Sequence, residues 1–396
     1  MSHSSETSSR APRRVAIVGA ALSDTGRTDS LTPFHLSAQA TQRAIADAGL
    51  TKADIDGFAS NGLGTLNPIE VAEYLGLKPT WIDSTGVGGG TWEVMAAHAA
   101  DAIAMGHAEV VVLVYGSTTR SDLKAGRRTA NLAFGARGPV GYEVPYGHTI
   151  IAKYAMATKR HMHEYGTTIE QLAEVAVSAR YNAQFNPDAY YHEQITIYDV
   201  QSGRMIADPF TKLHCCIRSD GGCAVVLASE AVARSCATEP VWILGAGQHT
   251  SHSSMTEWED FTVGPAAVAG RHAFERAGVS VDDIDLCCIY DAFTGMLLFT
   301  LEDLGFCAKG DGGPFVADGR LRLGGELPTN PDGGGLSACH PGMRGLFLLV
   351  EATRQLRGDY AAAGAPERQV DDATLACVSG TGGWFCSNGT LILGTD

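Results

Sequence analysis

The sequence predicts an α/β protein made of two similar halves, in each of which helices alternate with strands, with the two sheets packed together. Two observations carry this. The first is an internal echo: "AIADAGLTKADID" begins at Ala44 and "AFERAGVSVDDID" at Ala273, a displacement of 229 residues. Ala48-Gly49 returns as Ala277-Gly278, and Asp54-Ile55-Asp56 as Asp283-Ile284-Asp285. The second is that each half goes on to a further apolar strand, "AEVVVLVYGS" over 108–117 and "ATLACVSGTGG" over 373–383.

Taken in order, residues 1–13 are polar and predict a disordered tail, and "VAIVGAAL" after them a first strand. Each copy of the echo reads as an amphipathic helix ended by glycine, a turn carrying Asp, and a strand, "GFAS" in the first copy and "LCCIYDAF" in the second. Between them "DSTGVGGGTWEVMAAHAADAIAMG", residues 83–106, predicts a glycine-rich turn running into an apolar helix. The stretch of about 118–215 is richer in polar and aromatic residues and predicts an inserted layer of loops and helices over the core. The halves are then 14–235, with that insertion, and 240–396. Ligands favour the seam between such halves, and loop ends facing it are the places to look for chemistry.

Composition narrows the function. Apolar residues make up 45% of the chain and charged ones 18%, which fits a compact enzyme-like body and not a disordered regulator. A formal charge of −15 argues against nucleic acid. A small anion remains possible, received by local bases such as Arg127, Arg128 and Lys153. The ten cysteines include the vicinal pairs Cys215-Cys216 and Cys287-Cys288 in apolar strand-like runs, which predicts buried reduced thiols and a cytoplasmic protein. No run of 18 apolar residues is present to span a membrane. Neither a Walker loop, a G-x-S-x-G nor a spaced C-x-x-C pair occurs. His161 and His163 fall on different faces of a helix, so no metal is expected, and His98 with Asp101 forms at most a pair along its helix.

Three constellations remain. His340, in "NPDGGGLSACHPGMRG", lies on a loop before a helix N-terminus, where a neutral imidazole can donate to an oxyanion or transfer a proton. A histidine that only bonds its own loop explains the pattern equally well. Cys377, in "ACVSGTGG", ends an apolar strand beside a glycine turn, a place for a thiolate but also for an ordinary buried strand residue. Tyr290, in "CCIYDAFTG", ends another strand and needs help from its surroundings to titrate usefully.

Together, the duplicated halves, the glycine-led helix, "YDAF" at 290, "HPG" at 340 and "CVSGTGG" at 377 resemble the thiolase superfamily over nearly the whole chain. The resemblance is closest to the sterol-carrier-type thiolases and the thiolase-like lipid-transfer aldolases of steroid side-chain breakdown. It implies a five-layered α/β/α/β/α body, usually dimeric, that binds acyl-CoA at the seam, with coenzyme A as part of the substrate and no tightly bound cofactor. It implies catalytic roles for Tyr290, His340 and Cys377, and places Gly88, Gly89, Gly90, Asp291, Phe293, Ser379 and Gly380 against the substrate. Cys339 and Ser379 stand where family members usually have Gly, and Tyr290 stands in place of an Asn. The thiolase nucleophile, a Cys, falls at about Gly89.

Without that thiol an acyl-cysteine cannot form. What remains suits retro-aldol cleavage of a β-hydroxyacyl-CoA with a bulky, steroid-like side chain, passing through a thioester enolate. "IYDAFTGMLLFTLEDLGFCAKGD" follows the aldolase pattern "LYDHFT...LEELGFCGKGE", although the aldolases carry a second Tyr where this chain has His340. The resemblance also implies a partner, since members of that branch often work with a small OB-fold protein, sometimes with a zinc ribbon. An acyl-CoA C-acyltransferase using Cys377 or Cys386, and a non-catalytic acyl-CoA or lipid carrier, are the competing readings. The three glycines themselves predict open space at the mouth of their helix.

Overall fold

The computed structural model describes residues 13–127, 138–147 and 149–396, so the call on Arg128 and nearly all of the predicted tail lie outside the described residues. Eleven strands are formed among them: β1 Val15–Leu22, β2 Gly57–Ser60, β3 Trp81–Asp83, β4 Val110–Ser117, β5 Met205–Ala207, β6 Phe210–Thr211, β7 Gly221–Ser229, β8 Val241–Thr250, β9 Leu286–Ile289, β10 Leu375–Gly382 and β11 Ser387–Gly394. All but the β5–β6 hairpin belong to one sheet in the order β3-β2-β4-β7-β1-β8-β11-β10-β9.

The predicted duplication is written into that order. In the first half β2 runs parallel to β4, and β4, β7 and β1 alternate in direction. In the second half β9 runs parallel to β10, and β10, β11 and β8 alternate in the same way. The turn Lys52–Asp54 recurs as Val281–Asp283, each closed by a reciprocal capping box, Thr51 with Asp54 and Ser280 with Asp283. The echoed sequences therefore specify the same local hydrogen bonds twice.

The half-sheets do more than pack. They join edge to edge, because β1 meets β8 through Ala16↔Trp242 and Ile17↔Val241, and the expected pair of sheets is one continuous sheet. It is folded around the helices Thr91–Met105 and Gly345–Leu356, which both touch strands of each half. Helix Pro33–Asp47 covers the outer face of the first half and Ala266–Ala277 that of the second. Five layers result. β4 is apolar along "VVVLVYGS" and buried at all eight positions because it carries helices on both faces.

Two expected strand ends move. The second-copy strand stops at Ile289, leaving Tyr290 to Phe293 beyond it, and β10 continues to Gly382, so Cys377 lies inside the strand and not at its end. Cys215-Cys216 lies outside the strands, whereas Cys287-Cys288 is buried in β9; all ten cysteines are free. Among the described residues no helix is long and apolar enough to cross a membrane.

Candidate active site

The chain leaves β9 at Ile289 and turns at once. Asn330 stabilises that strand end by taking the Ile289 N–H at 2.8 Å and giving its amide to the Ile289 carbonyl at 2.7 Å. Tyr290 then anchors to β10 by donating its N–H to the Ser379 carbonyl at 2.9 Å. Its phenol reaches the loop that precedes helix Gly345–Leu356. There Tyr290 Oη lies 3.1 Å from His340 Nε2 and accepts the Arg344 backbone N–H at 3.1 Å.

His340 is held from its other side. Its backbone N–H donates to Ser219 Oγ at 2.9 Å, and that oxygen lies 3.2 Å from Cys339 Sγ. Burial, and then the Arg344 charge, lower the imidazole to about 4, so it is neutral at physiological pH. Burial also lifts the Tyr290 phenol well above its ordinary range. The two groups therefore face each other uncharged, and the tautomer of His340 sets which of them donates.

Arg344 sets this loop. Fully buried, it donates to both oxygens of Asp332 at 2.7 and 2.6 Å and to the Cys339 carbonyl at 2.9 Å, with Asp291 at 3.6 Å. Asp291 in turn accepts the N–H groups of Gly335 at 2.7 Å and Leu336 at 3.2 Å. Burial pushes its carboxyl up to about 7 against the pull of Arg344. The two carboxylates and one guanidinium thus fasten the segment 332–344 that carries His340.

The glycine turn is the largest correction. Gly88, Gly89 and Gly90 form a tight turn before helix Thr91–Met105, but they do not open space. A Cβ on Gly89 would stand 2.6 Å from Tyr290 Cε2 and 2.8 Å from Cζ, and one on Gly88 2.6 Å from the Gly383 nitrogen. The Gly90 position is closed by the Gly380 carbonyl. The tyrosine ring and the β10–β11 hairpin occupy the volume that a side chain on the turn would need.

The chain resembles known proteins along its whole length. The family model described as "Thiolase C-terminal domain-like" matches residues 247–395. A steroid side-chain-cleaving aldolase of Thermomonospora curvata is 35% identical over 97% of this chain and 99% of its own. The 17-hydroxy-3-oxo-4-pregnene-20-carboxyl-CoA lyase of Mycobacterium tuberculosis is 35% identical over 87% of this chain and 92% of its own. Among solved structures the Ltp2-ChsH2(DUF35) aldolase superposes with a TM-score of 0.86 at 33% identity, covering 97% of this chain and 98% of that one. The chain belongs to the thiolase superfamily, in the branch that holds these aldolases.

Within this thiolase-superfamily chain the expected site residues divide. Tyr290, His340 and the glycine turn come together. Cys377 does not join them: it pairs in register with Cys287, is buried, and meets the Cys287 thiol, two residues, or about 7 Å, down the strand from Ser379. Ser379 offers Tyr290 its carbonyl, while its hydroxyl is engaged by Thr390 at 3.1 Å and Asn388 at 3.0 Å. Phe293 stacks on Phe210 at 5.5 Å and tilts against Tyr154 at 4.7 Å, walling the region beneath the pair. Gly380 makes room for the Glu93 carboxyl.

Other expectations resolve simply. Lys153 is buried against Glu143 at 2.8 Å, and Arg127 lies 3.6 Å from Asp122. His98 pairs with Asp83 at 2.9 Å and not with Asp101. Sequence reasoning missed Arg344 and Glu93. Both were visible as lone charges in apolar helix starts, "HPGMRGLFLL" and "GGGTWEVMAA".

The crowding at Gly89 makes a prediction. Gly89→Ala should lose about 2–3 kcal/mol of stability and most turnover, because the added methyl must push against the Thr381 carbonyl and displace Tyr290, checked by thermal unfolding beside rate measurement. Gly89→Cys restores a thiol at the same cost and should gain no acyl transfer.

Proposed function

We propose that this chain is an acyl-CoA carbon–carbon lyase that cleaves a β-hydroxyacyl-CoA by a retro-aldol reaction, with coenzyme A entering as part of the substrate. The observation that carries the reading is the uncharged Tyr290–His340 pair, seated over Gly89 where a thiolase would hold its nucleophile. Tyr290 Oη receives the proton of the substrate β-hydroxyl as its own passes to His340 Nε2. The electrons of the new carbonyl come from the O–H bond, and those of the Cα–Cβ bond move into the thioester enolate. The Arg344 N–H supports the partial charge on the phenol oxygen during this exchange. His340 returns the proton to Cα, so a proton moves from oxygen to carbon with no net oxidation and no acyl-enzyme. Its second nitrogen, Nδ1, is left by the Tyr290 bond to face substrate.

A bulky, steroid-like acyl chain is the substrate class, supported by the names of the two lyases at 35% identity. The assembly we propose has a DUF35-type partner, as the aldolase of known structure does. A second copy would pair along β3, which ends the sheet with Ile82 48% exposed. Ten free thiols suit the cytoplasm.

Incubation with β-hydroxyacyl-CoA thioesters tests the proposal: a ketone or aldehyde and the shortened acyl-CoA should appear in equal amounts. Failure with every such substrate, in the presence of a DUF35-type partner, would sink it. Alkylating the thiols should leave most of the rate, because no cysteine touches the pair as nucleophile and burial pushes Cys386 up to about 11. An acyltransferase working through Cys377 or Cys386 would lose its activity under the same treatment, and a carrier would bind the thioester and leave it intact.

A further inference from the structure

One buried acid has no place in that chemistry. Glu93 sits in the first turn of helix Thr91–Met105, four residues after Gly89 and on the same helix face, and its side chain leans back toward the glycine turn. It is 1% exposed, and neither carboxyl oxygen has a hydrogen-bond partner. A buried carboxyl left unpaired ordinarily costs stability, and a fold that keeps one calls for an explanation.

The surroundings are built to admit it. A Cβ on Gly345 would stand 2.6 Å from both Glu93 Oε2 and the Gly89 carbonyl, one on Gly389 would stand 2.9 Å from Glu93 Cβ, and one on Gly380 would overlap the carboxyl outright. Three glycines from β10, β11 and helix Gly345–Leu356 therefore make its seat. Two of them adjoin the groups that hold Tyr290. Gly380 follows Ser379, whose carbonyl takes the Tyr290 N–H, and Gly345 follows Arg344, whose N–H binds the phenol.

The groups facing it complete the picture. β7 contributes the Cys223 thiol, which burial keeps protonated. β10, β11 and helix Gly345–Leu356 contribute glycines, and Arg344 is turned away toward Asp332 and Asp291. Among the described residues no cation compensates Glu93.

We propose that Glu93 is a positioning residue of the lyase reaction that works as a neutral carboxylic acid, filling the joint behind Tyr290, and that its ionisation switches the site off. The inference rests on the lyase reading for its kinetic consequence. A negative charge in that joint opposes the charge that develops on the β-oxygen and the enolate, and it drives the carboxylate to seek water through the glycine seat. Burial alone holds the proton on, up to about pH 8.

The test is the pH dependence of kcat for the wild type and for Glu93→Gln, an uncharged side chain of the same shape. Wild-type turnover should fall as pH rises through about 8, and the variant's fall should be displaced upward by about one pH unit or more. Superimposable alkaline limbs would overturn the proposal. An infrared spectrum of the wild-type protein near pH 7.5, where ordinary carboxylates and the greater part of the Asp291 carboxyl are ionised, reads the same proton without any substrate. A protonated-carboxyl band that disappears in Glu93→Gln is expected. Its absence from the wild type overturns the proposal even where the variant does not fold, and even if the lyase reading itself fails.

Discussion

Replacing Tyr290 by Phe should slow carbon–carbon cleavage by about 10³-fold while leaving acyl-CoA binding nearly intact. The phenol oxygen is the one atom that touches both His340 Nε2 and the Arg344 N–H, so its removal breaks the proton path and orphans a buried donor. The ring stays, and with it the packing over Gly89. Stability should therefore fall by only about 1–2 kcal/mol, the cost of one unsatisfied buried N–H. Rate of carbonyl release, calorimetric affinity for the thioester and unfolding temperature together decide the matter: a variant with full turnover removes Tyr290 from the mechanism, and one that loses binding makes it a structural residue.

Arg344→Ala should produce the largest loss of stability, about 3–5 kcal/mol, because it strands Asp332 and Asp291 in a buried setting and frees the Cys339 carbonyl. The sign with pH follows from Asp291. Its carboxyl already holds its proton up to about 7, and without the guanidinium it holds it more tightly. A carboxyl raised in the folded state favours folding at low pH and loses that advantage as pH climbs; both proteins share that loss up to about 7, so the deficit of the variant should deepen above about 7, where the wild-type carboxyl has ionised and the variant's still holds its proton. Denaturant unfolding of both proteins at two pH values measures it. Turnover should fall with stability, since the same loop carries His340, and removing the nearby charge raises the imidazole from its depressed value.

The duplicated architecture was legible because it is local. Periodicity, the glycine stop at Gly49 and Gly278, and the Thr51–Asp54 and Ser280–Asp283 boxes each act within a few residues, and they recur at the same displacement. The lack of a thiol on the turn is likewise a fact of composition. What the empty positions contain is not: Gly89 lies far along the chain from Tyr290, and only the packing of the helix start against the strand ends reveals that a ring fills the gap. Spacing also misplaced Cys377, since an apolar run followed by "SGTGG" does not say that β10 continues through those glycines to pair with β11.

By itself, then, the sequence determined two like halves, a glycine turn unable to form an acyl-enzyme, and a tyrosine and a histidine at element ends. Only the tertiary structure decided that these two share a proton, that Arg344 and Asp332 hold their loop, and that Glu93 stands unpaired behind them. The physical reason is that secondary structure answers to neighbours three or four residues away. Hydrogen bonds between residues 50 apart, and the desolvation that sets their charge states, exist only once the halves have closed on each other.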